Sequence, residues 1–152
     1  MQGQARVVII GGGIMGASLL YHLAQEGWTD IVLIEKDELT SGSTWHAAGQ
    51  CPNITGSFNL AKMHAYSNWL YPQLEGLTGQ YVSWHKSGGI RFANNDRELA
   101  WLKYIQGFSK VVGFNMELID PEKIRQINPF VTTDGVLAGA WTTDDGHADP
   151  SG

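Results

Sequence analysis

Residues 6–16 read RVVIIGGGIMG, and the order of residue types in this stretch decides the fold. Val7–Ile10 is a continuous run of β-branched side chains, which is typical of a strand buried on both faces of a parallel sheet. Glycines follow at once with the spacing G-x-G-x-x-G, at Gly11, Gly13 and Gly16. We therefore predict a strand that ends at Gly11 and a tight glycine turn directly after it.

The residues after the glycine turn predict a helix and then a second strand. Apolar side chains recur at helical spacing through residues 14–26, and Gly27 stands where a helix cap is expected. A second apolar run follows at Ile31–Ile34. A strand, a helix and a strand in this order form a βαβ unit, whose two strands are parallel.

A glycine turn between a strand and a helix is the context that predicts a dinucleotide-binding site. Gly11 permits the tight turn, Gly13 lets a pyrophosphate approach the backbone, and Gly16 lets the helix pack closely on the strand. Ile14 and Met15 begin the helix, where unpaired backbone N–H groups and the helix dipole favour a negative charge. The pyrophosphate is therefore expected at the helix N-terminus.

An acidic residue at the end of the second strand completes this pattern. Glu35 follows Ile31–Ile34 directly, where the dinucleotide fingerprint has a carboxylate that accepts a hydrogen bond from a ribose hydroxyl. A carboxylate at this position, rather than an arginine, argues against a 2′-phosphate and hence against NADP. These residues leave both FAD and NAD open.

Residues 35–49 read EKDELTSGSTWHAAG, and this stretch resembles the dimethylglycine and sarcosine dehydrogenase family of flavoproteins, within the D-amino-acid-oxidase-like superfamily. The resemblance implies that the segment lies along FAD and that His46 is covalently attached to the flavin 8α carbon. Hydroxyl groups can donate to cofactor oxygens, and an imidazole nitrogen is a nucleophile. The further cofactor-binding residues implied are Lys36, Ser43, Thr44 and Gly49.

The resemblance extends to GGIR at residues 88–91 and DGHADP at residues 145–150, and so covers nearly the whole chain. It implies oxidation of the C–N bond of an N-methylated glycine or a similar amine, with hydride transfer to flavin N5. An electron-transfer flavoprotein or oxygen would then accept the electrons. The catalytic residues are expected beyond Gly152, so the 152-residue piece alone is expected to be inactive.

From about residue 56 the pattern changes, because strands and helices no longer alternate as parallel units. The predicted elements are an amphipathic helix over 60–74, a hairpin of 81–84 with 89–93, a helix capped by Asp96 and closed by Gly113, a strand over 116–119, a short helix begun by Asp120 and Pro121, and a strand over 136–141. They indicate a mixed α+β region.

We therefore predict an α/β fold that starts with a Rossmann-like, FAD-binding βαβ segment in residues 1–55. Residues 56–145 are predicted to be part of a mixed α+β substrate domain, and residues 146–152 to begin the return to the FAD-binding domain. Two strands are too few for a complete dinucleotide fold. Asp149 and Pro150 resemble the start of a helix, so we expect a truncated N-terminal piece.

Composition and charge exclude several classes of partner. The net charge is −5 and no run of Lys or Arg occurs, so neither nucleic acid nor an anionic membrane surface is an expected partner. The single Cys51 excludes an internal disulfide, and the five histidines lack metal-ligand spacing. We expect no metal, and a location in the cytoplasm or, in a eukaryote, the mitochondrial matrix.

Two other functions remain open on the sequence, and one further residue is a candidate. An NAD-dependent dehydrogenase would use the same glycine turn and Glu35. A non-catalytic, flavoprotein-like regulatory subunit would share the family pattern without catalysing the reaction. Arg91 could bind a substrate carboxylate bidentately, although a salt bridge at the surface or between domains is the alternative role for this side chain.

Overall fold

The structure is a computed structural model that describes residues 3–150. These residues form two compact units that divide between Ala48 and Gly49, called here the N-terminal and the C-terminal unit. The functional assignment of residues 1–55, 56–145 and 146–152 stays a prediction. The helix expected to continue from Asp149 and Pro150 would run into residues that lie outside the described part of the chain.

The N-terminal unit is the predicted βαβ unit. Its elements are β1 (Val7–Ile10), α1 (Ile14–Gln25) and β2 (Ile31–Ile34). The two strands are parallel and in register, from Val7 opposite Ile31 to Ile10 opposite Ile34. Their carboxyl ends therefore lie side by side, and the glycine turn and Glu35 follow at the same edge of the sheet.

Gly27 ends α1 as the sequence predicts. Its φ is +82°, a left-handed conformation that glycine adopts without a steric penalty. The Gly27 N–H donates to the carbonyl of Ala24, and the Trp28 N–H donates to that of Leu23, both at 3.0 Å. This pair of bonds is a Schellman motif, which satisfies carbonyls that the last turn would otherwise leave unpaired.

The C-terminal unit is a mixed α+β assembly, as predicted. Its elements are β3 (Gln50–Cys51), α2 (Phe58–Thr78), β4 (Gly89–Ala93), α3 (Asp96–Val112), β5 (Glu117–Ile119), α4 (Pro121–Ile127), β6 (Ala138–Thr142) and β7 (Gly146–His147). An antiparallel sheet has the order β4-β6-β5, and β3 pairs with β7. The larger cluster of buried apolar residues consists of Ile54, Ala61, Ala93, Leu102, Ile105, Phe114 and Ala140.

The predicted hairpin between residues 81–84 and 89–93 is wrong. Residues 81–84 form no strand, and β4 pairs with β6, with Gly89 opposite Thr142, 53 residues further along the chain. His85 makes a single antiparallel bridge with His147. A local turn signal reports that the chain bends but carries no information about a partner so distant in sequence.

The cap of α3 lies one residue earlier than predicted. Asn95 is the N-cap, and its side chain accepts a hydrogen bond from the Glu98 N–H at 3.0 Å, whereas Asp96 is the first helical residue. Asn and Asp cap helices about equally well, so residue type could not decide between them. The predicted start of α4 is confirmed, with Asp120 as its cap and Pro121 at the first position.

A buried carboxylate joins the two ends of the C-terminal unit. Asp145 is 5% exposed, and its Oδ1 accepts hydrogen bonds from the backbone N–H and from Nδ2 of Asn53, both at 2.8 Å. Its Oδ2 accepts a hydrogen bond from the Thr142 hydroxyl. Asn53 and Thr142 are themselves buried, so Asp145 satisfies three donors that water cannot reach.

The glycines of GGIR and DGHADP have packing reasons in this structure. A Cβ at Gly89 would lie 2.7 Å from Oδ2 of Asp145, and one at Gly88 would lie 2.1 Å from the ring of Trp141. A Cβ at Gly146 would lie 2.5 Å from the Trp84 ring. These three positions therefore have no room for a side chain, because neighbouring side chains lie too close to the backbone there.

We expect Asp145→Ala to lower the free energy of unfolding of the C-terminal unit by about 3 kcal/mol, because each buried donor left without an acceptor costs about 1–3 kcal/mol. Chemical denaturation measures this loss. Asp144→Ala is the matched control, since Asp144 pairs with Lys86 at 2.8 Å through partly exposed side chains and such a pair is worth about 1 kcal/mol or less. Equal losses in the two variants would contradict the assignment.

No helix within residues 3–150 is both long enough and apolar enough to cross a membrane.

Candidate functional site

The glycine turn needs two of its glycines for different physical reasons. Gly11 has a φ of +105°, a region that side chains disfavour, and its N–H donates to the carbonyl of Ile34 at 2.8 Å. Gly16 faces this turn from α1, and a Cβ there would lie 1.9 Å from the carbonyl oxygen of Gly11. The turn and the first turn of the helix therefore pack backbone against backbone.

Gly12 is a site residue that the sequence reasoning missed. It is buried, and its N–H donates to Oε2 of Glu35 at 2.6 Å. A Cβ at Gly12 would lie 2.5 Å from Cδ2 of Leu39 and 3.2 Å from Cβ of Glu35. The signal was available, because a fourth glycine stands inside the motif, but the fingerprint treats that position as free.

Glu35 is held in place by the backbone. Besides the bond from Gly12, its Oε1 accepts hydrogen bonds from the N–H groups of Lys36 at 2.7 Å and Asp37 at 3.1 Å. These backbone bonds, with Gly12 the largest contributor, hold the pKa of the Glu35 carboxyl below its ordinary value near 4.5. Glu35 is therefore an ionised acceptor, fixed in position at the end of β2.

We expect Glu35→Gln to weaken the glycine turn at neutral pH, because an amide turns an NH₂ donor toward one of the backbone N–H groups. The stabilisation by ionised Glu35 is complete above about pH 4.5 and is lost as the pH falls through the lower pKa of the folded chain. Melting curves of parent and variant should therefore differ at pH 7 and converge in acid. A difference that persists unchanged at pH 3 would contradict this role.

The start of α1 presents several unpaired donors. Its N-cap is Gly13, which has no side chain to accept a hydrogen bond. Within residues 3–150 the N–H groups of Gly13, Met15 and Gly16 donate to no acceptor, while the Ile14 N–H donates to Oγ1 of Thr44 at 3.0 Å. Unpaired amides at a helix N-terminus form a binding site for an anion.

The segment that carries His46 is a series of turns held by its own backbone. Nε1 of Trp45 donates to the carbonyl of Ser41 at 3.0 Å, and Nδ1 of His46 lies 2.9 Å from the carbonyl of Gly42. A carbonyl only accepts hydrogen bonds, so Nδ1 carries the hydrogen and the neutral imidazole keeps its lone pair on Nε2. His46 is exposed, with its ring 4.0 Å from that of Trp45.

The structure places most of the predicted cofactor residues in the N-terminal unit. Lys36 and Ser43 are exposed there, and Lys36 contributes its backbone N–H to Glu35. Gly49 belongs to the C-terminal unit, where its carbonyl accepts a hydrogen bond from the Ala148 N–H at 3.0 Å. A Cβ at Gly49 would lie 2.0 Å from the carbonyl oxygen of Ala148, so this glycine has a packing reason of its own.

Arg91 lies on the surface of the C-terminal unit. Its guanidinium stacks over the ring of Trp101, 4.9 Å from the ring centroid, and the two side chains line an open groove of about 560 Å³ with Asn94 and Arg97. The contact is a cation–π interaction. The substrate-carboxylate role of Arg91 stays a prediction.

Metal binding has no support from the residues that the structure describes. No three His, Cys, Asp or Glu side chains in positions 3–150 are grouped so that they could hold an ion.

Burial and the nearby Asp145 carboxylate raise the pKa of the Cys51 thiol. This thiol is therefore protonated at neutral pH and a poor nucleophile.

The N-terminal unit fits an adenine dinucleotide. The unpaired amides of Gly13, Met15 and Gly16 suit a diphosphate, and a fixed carboxylate at Glu35 suits a ribose hydroxyl. Because a carboxylate has about four acceptor positions, Glu35 retains capacity beyond its three backbone bonds. Fold and site together define a dinucleotide-binding protein of the Rossmann-like class.

Comparison with known proteins identifies the family within this class. The family described as FAD dependent oxidoreductase matches residues 6–152, and the chain belongs to it. The family match decides between the two cofactors that the glycine turn left open, in favour of FAD.

Two curated relatives show where the chain falls in this family. It is 45% identical to mitochondrial dimethylglycine dehydrogenase of Rattus norvegicus, with 97% of this chain and 17% of the relative covered. It is 39% identical to the mitochondrial pyruvate dehydrogenase phosphatase regulatory subunit of Mus musculus, with 95% and 16% covered. The chain thus spans about a sixth of the length of each. The resemblance to the dimethylglycine dehydrogenase family is confirmed.

A solved structure supports the fold independently. The L-proline dehydrogenase from P. horikoshii superposes with a TM-score of 0.90 at 26% identity, over 99% of this chain and 40% of that one.

Proposed function

We propose that the protein oxidises the C–N bond of an N-methylated glycine or a similar secondary or tertiary amine, using FAD. The observation that supports dinucleotide binding is the anchored carboxylate of Glu35, which lies 2.6 Å from the Gly12 amide at the mouth of the glycine turn, and the family match over residues 6–152 supports FAD as the dinucleotide. The 45% identity to a dimethylglycine dehydrogenase supports the choice of amine.

The residues of this chain serve to bind and orient. Gly11, Gly13 and Gly16, with the amides of Ile14 and Met15, would hold the diphosphate, and Glu35 the ribose. Residues 36–49, among them Ser43, Thr44 and Gly49, would line the rest of the cofactor. FAD, when bound, would supply a hydride acceptor for the carbon next to the amine nitrogen. Loss of that hydride would leave an iminium, which water would hydrolyse.

His46 is the proposed point of covalent attachment. The Gly42 carbonyl fixes the hydrogen on Nδ1, so Nε2 is the nitrogen with a free lone pair, and we propose that it would bond the flavin 8α carbon. The new C–N bond would replace a C–H bond of the 8α methyl group, and the two electrons of that bond would pass to the flavin ring, which an acceptor such as oxygen would then reoxidise. Exposure of the ring is consistent with access to a ligand. The proposed electron acceptor is an electron-transfer flavoprotein or oxygen, and the proposed location is the mitochondrial matrix in a eukaryote or otherwise the cytoplasm.

Anaerobic reduction of the purified full-length gene product tests the activity. We expect a yellow protein whose flavin absorbance near 450 nm, the band of any oxidised flavin, disappears when dimethylglycine or sarcosine is added. Glycine betaine, a quaternary amine without a lone pair on nitrogen, is the control. A colourless protein that takes up no FAD would refute the proposal.

A regulatory subunit is the second candidate, favoured by the 39% identity to the phosphatase regulatory subunit. The same experiment separates the two functions. A protein that binds FAD but is not reduced by any secondary or tertiary amine tested would support the regulatory subunit.

A further inference from the structure

Thr44 caps α1 from outside the helix. In an ordinary helix the N-cap side chain accepts a hydrogen bond from one of the first backbone N–H groups, but the N-cap of α1 is Gly13, which has no side chain. Oγ1 of Thr44 takes this role instead, accepting from the Ile14 N–H at 3.0 Å. Thr44 reaches the helix start from 30 residues further along the chain.

The contact with Thr44 is a second reason for glycine at position 13, besides the approach of a pyrophosphate to the backbone. Gly13 has φ −77° and ψ −177°, which is extended backbone open to any residue, so conformation does not require glycine. A Cβ at Gly13 would lie 2.8 Å from Oγ1 of Thr44, closer than ordinary contact allows. A shift of the Thr44 hydroxyl to relieve this contact would disturb its bond to the Ile14 N–H.

The hydroxyl of Thr44 also keeps a donor. A threonine hydroxyl has one O–H and two lone pairs, and the Ile14 N–H uses one lone pair. Across residues 3–150 the O–H donates to no acceptor. It therefore stands at the helix start beside the unpaired amides of Gly13, Met15 and Gly16, where the site favours an anion.

We propose that Thr44 is a positioning residue that couples the His46 segment to the diphosphate end of the cofactor site. The inference rests on the proposed function, because the anion in question is the diphosphate of FAD. Thr44 lies two residues before His46, and its bond to the Ile14 N–H anchors the His46 segment to the start of α1. The O–H group of Thr44 adds a hydrogen-bond donor for the diphosphate. The absence of a side chain at Gly13 leaves room for this hydroxyl.

FAD binding by the full-length protein tests the proposal. A His46→Ala background makes FAD exchange reversible whether or not the parent holds it covalently. In this background we expect Thr44→Val to raise the Kd for FAD about tenfold or more, since a hydrogen bond to a charged group is lost, and Thr44→Ser to restore it. Ser18→Ala, which removes an exposed hydroxyl from α1, is the control and should bind FAD normally.

A double-mutant cycle tests the contact between Gly13 and Thr44. Gly13→Ala alone should lower the melting temperature of the apoprotein and weaken FAD binding. In a Thr44→Ala background, where the space is free, the same change should have at most about a third of that effect on either quantity. Strictly additive effects would show that glycine is required at position 13 only to make room for the diphosphate and not for Thr44. That result would overturn the inference.

The outcomes also separate the two proposals. If the parent binds FAD and Thr44→Val binds it equally well, the inference is wrong and the proposed function stands. If Thr44→Val and Thr44→Ser both lower the melting temperature while the Kd is unchanged, Thr44 is a structural cap only, which also overturns the inference. If the parent binds no FAD, both proposals fail together.

Discussion

Gly16→Ala is expected to destabilise the N-terminal unit by about 3 kcal/mol or more, the upper range for overpacking, and to abolish FAD binding. The new Cβ would lie 1.9 Å from the oxygen and 3.1 Å from the carbon of the Gly11 carbonyl. Both are backbone atoms, so no side-chain rotation relieves the overlap and α1 must move away from β1. Chemical denaturation and the flavin content of the full-length protein measure the two effects.

Gly107→Ala is the matched control for this prediction. Gly107 lies within α3, and a Cβ there would meet nothing within 4 Å. Alanine is the better helix former by about 0.8–1 kcal/mol, so this change should be neutral or stabilising. A Gly16→Ala protein that unfolds at the parental denaturant concentration and keeps its flavin would show that α1 does not pack on the turn as described.

His46→Ala is expected to remove all covalently held flavin from the full-length protein. The substitution eliminates the only proposed attachment atom, Nε2, while the amides at the start of α1 and the carboxylate of Glu35 stay in place. The variant should therefore still bind FAD, but denaturation in acid should release it. Flavin fluorescence of the precipitated polypeptide, compared between parent and variant, is the measurement.

His22→Ala is the matched control for His46. Nδ1 of His22 lies 2.6 Å from the carbonyl of Ser18, four residues earlier, and Nδ1 of His46 makes the same kind of contact with Gly42. Removal of either ring costs a contact with a carbonyl four residues earlier, but only His46 is proposed to hold flavin. Flavin that stays on the His46→Ala polypeptide would place the attachment elsewhere. Complete release from the parent would leave FAD binding intact but non-covalent.

The βαβ unit could be predicted in detail because its determinants are local. The apolar strands β1 and β2, the glycine turn and the cap at Gly27 each lie within a few residues of the structure that they specify. The position of Glu35 followed from the same pattern. The partner of β4 could not be predicted, since pairing with β6 depends on packing across 53 residues and no short-range signal encodes it.

In the candidate site, too, local features could be predicted from the sequence and long-range contacts could not. The spacing of Gly11, Gly13 and Gly16 predicted where the turn would lie, but not what each glycine contacts. The role of Gly12 depends on Leu39 and Glu35, and contacts of this kind appear only when the chain is folded. The fingerprint gives one role to each of its glycine positions, whereas packing in the folded chain can require glycine for a different reason.

The pairing of β3 with β7 has a consequence for the order in which the protein folds during synthesis. The first strand of the C-terminal unit finds its partner only near residue 147, and the Asn53–Asp145 bonds join residues 92 positions apart. Closing so long a loop is entropically costly and slow. The C-terminal unit therefore cannot close until the ribosome has released this whole stretch. The N-terminal βαβ unit, with far shorter contacts, can form while translation continues.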